Sequence, residues 1–243
     1  MNTISKILLA AFLVAFGTTD ATAQWWGKRI NGNGNITTRD VKTGDYDVIK
    51  VAGFMDVHLE KGTEGNITVT TDSNLQEYIV VETDGDKLII KTKKNSNLRT
   101  KHGVHIKVPF QDLSKIGLSG SGDIDTKDKI VADELDINVT GSGDIDLLIE
   151  TNVLDSNVTG SGDIQLAGKA NDIEVSVTGS GDFKGFDLES NNADASVSGS
   201  GDIKLNVKNS LRGRVSGSGD IRYTGNPSKS DTKVAGSGSI KSM

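Results

Sequence analysis

The chain has 243 residues, a net charge of −6 at pH 7, 5% aromatic residues, 29 glycines and no cysteine. The lack of cysteine excludes disulfide bonds and a lipid attached through an N-terminal cysteine. An acidic chain without a basic surplus is unsuited to nucleic acid, so we expect no nucleic-acid partner.

The first 23 residues have the three-part pattern of a secretory signal peptide. Lys6 supplies the positive charge, residues 7–16 (ILLAAFLVAF) form the apolar region, and residues 21–23 (ATA) fit the cleavage site. The apolar run is shorter than the roughly 20 residues that span a bilayer. We therefore predict a chain exported through a cleaved signal peptide, which is periplasmic, at the cell surface or secreted. The mature chain is predicted to have no transmembrane segment.

Residues 24–44 are interpreted as an N-terminal segment that precedes the first strands. Trp25 and Trp26 stand next to the predicted start of the mature chain. Two adjacent exposed tryptophans are a liability for solubility. They are therefore candidates either for contact with a partner or for covering one end of the fold.

Residues 45–118 are interpreted as an N-terminal β region. Several stretches alternate apolar and polar residues, as half-buried strands do. The Asp-Gly pair in TDGDK (residues 83–87) predicts a hairpin turn, and NSNLRTKHG (residues 95–103) predicts a polar loop. We expect this region to form one continuous β body with the residues that follow and to cover their N-terminal edge.

Residues 119–243 are organised by a repeat. Six copies of GSGD and a seventh copy, GSGS, recur at intervals of 21, 19, 19, 20, 18 and 19 residues, flanked by segments with apolar residues at alternate positions. Such a period cannot hold a strand, a helix and two turns, and a propeller blade needs about 40 residues. The sequence therefore predicts an all-β fold in which each period forms one coil of a parallel β-solenoid, or β-helix. Antiparallel hairpins are the alternative.

The alternation also predicts which residues of the repeat face outward. Counting from Val139 places Gly141 and Gly143 inward and Ser142 and Asp144 outward. The inward glycines would either form a corner with positive φ or let the opposite wall approach. Stacking of the coils turns the outward residues into columns, which are the candidate binding residues. These are Asp123, Asp144, Asp163, Asp182, Asp202, Asp220, Ser142, Ser161, Ser180 and Ser200.

A column of aspartates is destabilised by repulsion between like charges. Two features could offset it: backbone N–H groups bonded to each carboxylate, as is common for Asp at turns, or a bound cation. Calcium is the cation to consider, because the repeat G-G-x-G-x-D-x-U-x binds it between stacked turns. GSGD lacks one glycine of that motif and recurs at nearly twice its period. We therefore favour the backbone N–H groups, keep calcium binding as a minor alternative, and predict no cofactor and no metal site.

No catalytic residue is predicted, because six equivalent carboxylates lack the unlike environments that acid–base catalysis needs. A polysaccharide-active enzyme on a β-helix scaffold is the alternative. The three histidines are His58, His102 and His105. They could form a zinc site only if His58 approaches the other two, and we favour solvated surface positions for them.

Three stretches and the GSGD copies resemble the family described as putative auto-transporter adhesin, head GIN domain. The stretches are YDVIKVAGFMDVHLEKG (46–62), NLQEYIVVETDGDKLIIKT (74–92) and VHIKVPFQDLSKIGLSGSGDI (104–124). The resemblance covers the chain from roughly residue 45 onward and implies a β-helix-like fold in an envelope or surface setting. It brings no catalytic or ligand residues. We expect a non-catalytic, adhesin-like binding protein whose partner is a surface glycan or an envelope protein, and whose fold permits homo-oligomers.

Overall fold

The computed structural model describes residues 28–243. The predicted signal peptide (residues 1–23), Trp25 and Trp26 lie outside the described residues. Within the described range, no helix is long and apolar enough to cross a membrane.

The described chain is built from β-strands, with one turn of 3-10 helix at Gln76–Tyr78. The strands are β1 (Lys28–Asn31), β2 (Ile36–Lys42), β3 (Val48–Gly53), β4 (Asp56–Lys61), β5 (Asn66–Asp72), β6 (Ile79–Asp84), β7 (Lys87–Thr92), β8 (Ser96–Arg99), β9 (His105–Phe110), β10 (Lys115–Gly120), β11 (Ile124–Gly141), β12 (Ile145–Gly160), β13 (Ile164–Gly179), β14 (Phe183–Gly199), β15 (Ile203–Gly217), β16 (Asp220–Thr224), β17 (Lys229–Gly236) and β18 (Ser239–Ser242).

The GSGD repeats form a parallel β-solenoid, as predicted. Each repeat is one coil, and β10 to β18 pair in parallel with the strands of the next coil. The register keeps equivalent positions opposite each other: Val139 pairs with Val158, and Val158 pairs with Val177. Side chains of the same repeat position therefore stack into columns that run along the solenoid.

The N-terminal β region is continuous with the solenoid. β3 pairs in parallel with β10, and β4 pairs in parallel with β11, so that Gly53 lies opposite Gly120 and Val57 opposite Ile124. β7 pairs in parallel with β3, and β9 pairs in parallel with β4. β6 and β5 pair antiparallel with the outermost parallel strands, β7 and β9, and β2 pairs antiparallel with β5. The N-terminal edge of the solenoid is thus covered by antiparallel strand pairs.

Two local predictions in this region had different outcomes. The hairpin is confirmed, because β6 and β7 are antiparallel and Asp84 pairs with Lys87 across a two-residue turn. The polar loop at residues 95–103 is wrong in part, because it contains β8, which pairs in parallel with β1. β8 is short and polar and belongs to a separate two-stranded sheet. It has no alternation of apolar residues from which a strand could be predicted.

The core consists of the inward columns of the coils. The column directly after the aspartate and the column two residues before the first glycine are both apolar, and their residues are 0–3% exposed. They comprise Ile124, Ile145, Ile164, Phe183, Ile203 and Ile221, and Val139, Val158, Val177, Val197 and Val215. Burial of such side chains contributes roughly 1.5–3 kcal/mol each. The buried columns therefore hold the coils together and leave the polar columns on the surface.

The glycines of GSGD are required by contact between neighbouring coils. The first glycine of each of the seven copies has φ between +120° and +134°, which side-chain-bearing residues rarely adopt. A Cβ on either glycine would overlap the carbonyl oxygen of the equivalent residue one coil earlier, which is Met55 for Gly122 and a glycine for the other positions. The predicted corner is therefore confirmed, but the group that approaches the glycines is the preceding coil and not the opposite wall.

The C-terminal end of the solenoid is an open edge. Every residue of β17 is exposed, including Val234, which is 41% exposed. β17 and β18 carry Lys229, Lys233 and Lys241. Charged residues on an edge strand, lysine in particular, hinder pairing with other chains.

Alanine at the second glycine of the repeat should destabilise the fold. In Gly162→Ala the new Cβ would overlap the Gly143 carbonyl oxygen, and backbone cannot move aside cheaply. We expect a loss of about 3 kcal/mol in the free energy of unfolding, the upper end of overpacking effects, measured by urea denaturation. Gly62→Ala is the control, because its Cβ would meet only the Pro109 side chain at 3.7 Å. Equal stability of the two variants would contradict this account.

Candidate functional site: the ladder face

The serines and aspartates of the repeat form one outward surface, which we call the ladder face. It consists of the predicted residues Asp123, Asp144, Asp163, Asp182, Asp202, Asp220, Ser142, Ser161, Ser180 and Ser200, all of which are exposed or half-exposed. A third column beside them carries Thr140, Thr159, Thr178, Ser198 and Ser216, all exposed. The structure therefore places all ten predicted residues on the same side of consecutive coils.

Backbone hydrogen bonds fix the direction of the serines. The Ser161 N–H and the Gly162 N–H both donate to the Gly141 carbonyl oxygen, at 2.8 and 3.1 Å. The same pair of bonds recurs at each copy. The hydroxyl groups of the repeat serines, in contrast, form no hydrogen bond with any other residue of the range 28–243. Their hydrogen-bonding capacity is left for solvent or for a ligand.

The aspartates are joined from coil to coil by their carboxylates. Each Asp Oδ1 accepts a hydrogen bond from the backbone N–H of the equivalent residue in the next coil. The donors, acceptors and distances are Asp144 to Asp123 at 3.0 Å, Asp163 to Asp144 at 2.8 Å, Asp182 to Asp163 at 2.9 Å, Asp202 to Asp182 at 2.8 Å, Asp220 to Asp202 at 2.9 Å and Ser239 to Asp220 at 2.8 Å.

These bonds explain how the column of aspartates is tolerated. A hydrogen bond to an ionised acceptor is about twice as strong as a neutral one and offsets part of the repulsion between neighbouring carboxylates. The backbone N–H interpretation of the repeat is therefore confirmed. The calcium alternative is weakened, because one oxygen of each carboxylate is already directed at a backbone N–H and not at a shared cation position.

Basic residues neutralise the C-terminal half of the column. Lys184 Nζ donates to Asp163 Oδ2 at 2.6 Å, and this hydrogen bond raises the pKa of Lys184. Arg222 donates to Asp220 Oδ2 at 2.9 Å and lies 3.6 Å from Asp202 Oδ2. These pairs are partly exposed, so each one stabilises the fold only slightly.

The N-terminal half of the ladder face stays acidic. The position two residues after the ladder aspartate holds Asp125 and Asp146 in the first two GSGD coils, the neutral Gln165 in the third, and a basic residue from Lys184 onward. Among residues 28–243, no lysine or arginine forms an ion pair with Asp123 or Asp144. The surface therefore changes along the solenoid from acidic to charge-balanced.

One more coil, without a GSGD motif, precedes the copies recognised in the sequence. Asp56 occupies the ladder position of the coil formed by β3 and β4, because Gly53 pairs with Gly120 and the Val57 N–H donates to the Asp123 carbonyl at 2.8 Å. Sequence analysis missed this coil because Phe54 and Met55 replace the serine and the second glycine. The remaining pattern, Gly-x-x-Asp followed by an apolar residue, was the signal that could have found it.

The histidines lie next to this end of the ladder. His58 Nδ1 lies 2.7 Å from Asp125 Oδ2, and the side chain of His58 is 36% exposed. His58 Nε2 lies 3.4 Å from His105 Nδ1. Both histidines lie at the surface, with side chains 36% and 45% exposed, and they are also in contact with each other. The register of β4, β9 and β11 brings them together.

The chain was then compared with known proteins. The model of the family described as putative auto-transporter adhesin, head GIN domain, matches residues 45–227. The chain belongs to this family. The resemblance seen in the sequence is thereby confirmed for most of the chain. No curated protein matches the chain.

Several solved structures share the fold of this GIN-domain chain. A putative adhesin from Bacteroides fragilis is 25% identical, with a TM-score of 0.83, and the match covers 88% of this chain and 100% of that one. A putative lipid binding protein from Parabacteroides distasonis is 30% identical, with a TM-score of 0.75, covering 89% of this chain and 100% of that one. A putative adhesin from Parabacteroides merdae, 24% identical with a TM-score of 0.69 over 88% of this chain and 99% of that one, supports the fold alone.

Removal of one ladder carboxylate should lower the free energy of unfolding more than replacement of that carboxylate by a neutral amide. Asp182→Ala leaves the Asp202 N–H without its acceptor, and we expect a loss of about 1–2 kcal/mol in the free energy of unfolding. Asp182→Asn keeps an Oδ1 acceptor and removes a like charge from the column, so its loss should be smaller. Chemical denaturation of both variants measures the difference. If the two variants lose the same stability, the hydrogen bond is not what offsets the repulsion.

The pKa of the last ladder aspartate, Asp220, is lowered in the fold, and the stability of the protein should therefore depend on pH. The Ser239 hydroxyl, followed by Arg222 and the Ser239 N–H, lowers the pKa of Asp220 below its ordinary value of 3.8. A lowered carboxyl pKa stabilises the folded state above the ordinary value, and this stabilisation is lost as the pH falls through the lower, folded value.

We therefore expect Ser239→Ala to lower the melting temperature at about pH 7 and the difference from wild type to shrink below pH 3.8. Ser237→Ala is the control, since its hydroxyl bonds to no other residue of the described chain. A difference that is independent of pH would show that Ser239 does not act through the Asp220 carboxylate.

Proposed function

We propose that this GIN-domain protein is an exported, non-catalytic, adhesin-like binding protein, and that the ladder face binds a surface glycan or an envelope protein. The observation that carries the proposal is the in-register array of serine hydroxyls that bond to no other residue of the described chain. Membership of an adhesin family and the signal-peptide pattern of residues 1–23 support a setting at the cell surface or in the envelope.

The chemistry of the ladder face suits a ligand rich in hydroxyl groups. Serine and threonine hydroxyls donate and accept hydrogen bonds, and the second oxygen of each carboxylate accepts them. Each such bond contributes only about 0.5–1.5 kcal/mol. Equivalent groups recur once per coil, at the strand spacing of about 4.8 Å. A polymer with many hydroxyls can engage several coils at once, and this multivalency raises the overall affinity.

The interior of the solenoid does not favour the ligand suggested by one relative. The Parabacteroides distasonis structure is described as a putative lipid binding protein. In residues 28–243 of this chain, the inward columns are filled by side chains that are almost completely buried. Close packing of this kind leaves no room for an acyl chain between the walls. Binding on the outer surface is therefore the better-supported mode.

Replacement of the serines tests the proposal. The variant Ser142→Ala/Ser161→Ala/Ser180→Ala/Ser200→Ala should fold as wild type does, because none of the four hydroxyls bonds within the described chain. The purified protein is screened against immobilised glycans and envelope proteins, and the variant is measured on each ligand that the wild type binds. We expect its affinity to fall at least tenfold, equivalent to about 1.4 kcal/mol.

The matched control removes hydroxyls elsewhere. Ser230, Thr232 and Ser242 are exposed on the C-terminal coil, away from the ladder face. Ser230→Ala/Thr232→Ala/Ser242→Ala should bind as the wild type does. Unchanged binding by the serine variant would overturn the assignment of the ladder face, and turnover of a polysaccharide by the wild type would overturn the non-catalytic assignment.

A further inference from the structure

Three strands bring two histidines and two aspartates together at the N-terminal end of the ladder face. β4 lies between β9 and β11, and its register places Asp56 opposite His105 and His58 opposite Asp125. Two of these side chains, His58 and Asp125, are 67 residues apart in the sequence. The imidazoles are partly open to solvent, with His58 36% and His105 45% exposed.

The hydrogen bonds of the outer ring nitrogens assign the protons. His58 Nδ1 lies 2.7 Å from Asp125 Oδ2, and His105 Nε2 lies 3.1 Å from the His102 carbonyl oxygen. An ionised carboxylate and a carbonyl only accept hydrogen bonds, so both of these ring nitrogens carry a proton. In the neutral imidazoles, His58 Nε2 and His105 Nδ1 are then both unprotonated, and these two nitrogens face each other at 3.4 Å.

Two facing lone pairs repel each other unless a proton or a metal ion lies between them. Nitrogens that each stand about 2.0–2.1 Å from a tetrahedral zinc ion are separated by about 3.3–3.4 Å. The observed 3.4 Å between His58 Nε2 and His105 Nδ1 agrees with this value. The ring centroids are 5.6 Å apart and the ring planes are 16° from parallel. The nitrogen–nitrogen distance thus fits two ligands of one ion, and the two rings, which now point almost nitrogen to nitrogen, must tilt to direct both lone pairs at it.

We propose that His58 and His105 bind a divalent first-row transition-metal ion, with Zn²⁺ and Cu²⁺ as the ions best suited to imidazole ligands. Histidines that bind metals typically donate their other N–H to a carboxylate or a carbonyl, which holds the ring in place. Asp125 and the His102 carbonyl fill these two roles. Calcium is unsuited to this site, because it prefers oxygen ligands.

Asp56 is the third ligand. Its Oδ2 lies 3.7 Å from His105 Nδ1, which makes Asp56 the nearest carboxylate to the facing ring nitrogen of His105. In the conformation described for residues 28–243, no three His, Asp or Glu side chains already stand as a complete ligand set. Two protein nitrogens and one carboxylate leave the remaining position of a tetrahedral ion for water or an external ligand.

The ladder positions next to the two histidines are acidic. Asp123 and Asp144 follow Asp56 in the ladder column, and neither forms an ion pair with a lysine or arginine of the described chain. Lys61, Lys107 and Lys127 line the same surface pocket as His58 and Asp125, and Lys107 is paired with Glu60 at 2.9 Å. The acidic half of the ladder face raises the local concentration of divalent cations, and the three lysines reduce this effect.

Calorimetric titration of the purified protein, freed of any affinity tag, with Zn²⁺ tests the proposal. We expect one ion per chain at about pH 7, and weaker binding as the pH falls and protons compete for the imidazoles. Electron paramagnetic resonance of the Cu²⁺ form should show two nitrogen ligands. His58→Gln and His105→Gln should each lose the binding, and Asp125→Asn should weaken it by roughly 10–100-fold with unchanged stoichiometry.

His102→Ala is the matched control, because His102 contributes only its backbone carbonyl. It should bind Zn²⁺ as the wild type does. Melting curves without metal establish that each variant is folded. Failure of the wild type to bind either ion, or wild-type binding by His58→Gln, would overturn the proposal and leave a shared proton between the two rings. The result is independent of whether the ladder face binds a glycan or a protein.

Discussion

The close approach of glycine backbones in neighbouring coils is the contact on which the rest of the structure depends. One glycine carbonyl accepts two N–H groups from the next coil, as Gly141 does from Ser161 and Gly162. Any side chain at these positions would force the coils apart, since a Cβ overlaps that carbonyl. The contact recurs at every copy of the repeat, so it fixes the phase of each coil against its neighbour. The apolar columns can then pack without gaps, and the polar columns come into register.

The aspartate ladder is a consequence of this register. A carboxylate can reach the N–H of the equivalent residue in the next coil only when the two coils are aligned residue for residue. The interaction converts a column of like charges into a series of charge-assisted hydrogen bonds. It also uses the aspartates for structure and leaves the neighbouring hydroxyls unoccupied within the described chain. The ladder face therefore combines a backbone held by hydrogen bonds between coils with hydroxyl side chains that are available to bond a ligand.

The sequence was sufficient to predict the solenoid because its period and alternation are imposed by the backbone at every coil. The sequence was insufficient to recognise a coil that has the backbone path of the others but lacks the GSGD residues. The coil containing Asp56 was missed because Met55 fits where the next coil has Gly122. The contact of His58 with Asp125 and His105 was missed because it depends on which strands become neighbours, and no local pattern encodes that. The serine columns were placed correctly, since alternation alone decides which side of a strand faces out.

The ladder has a direction, which every coil of the stack shares. Each aspartate offers its carboxylate to the coil that follows, and Asp220 offers its own to the Ser239 N–H. The donor is always in the later coil and the acceptor is always in the earlier one. A coil therefore fits the stack in one orientation only, because a reversed coil would bring its carboxylate to a position where the neighbouring coil also presents a carboxylate.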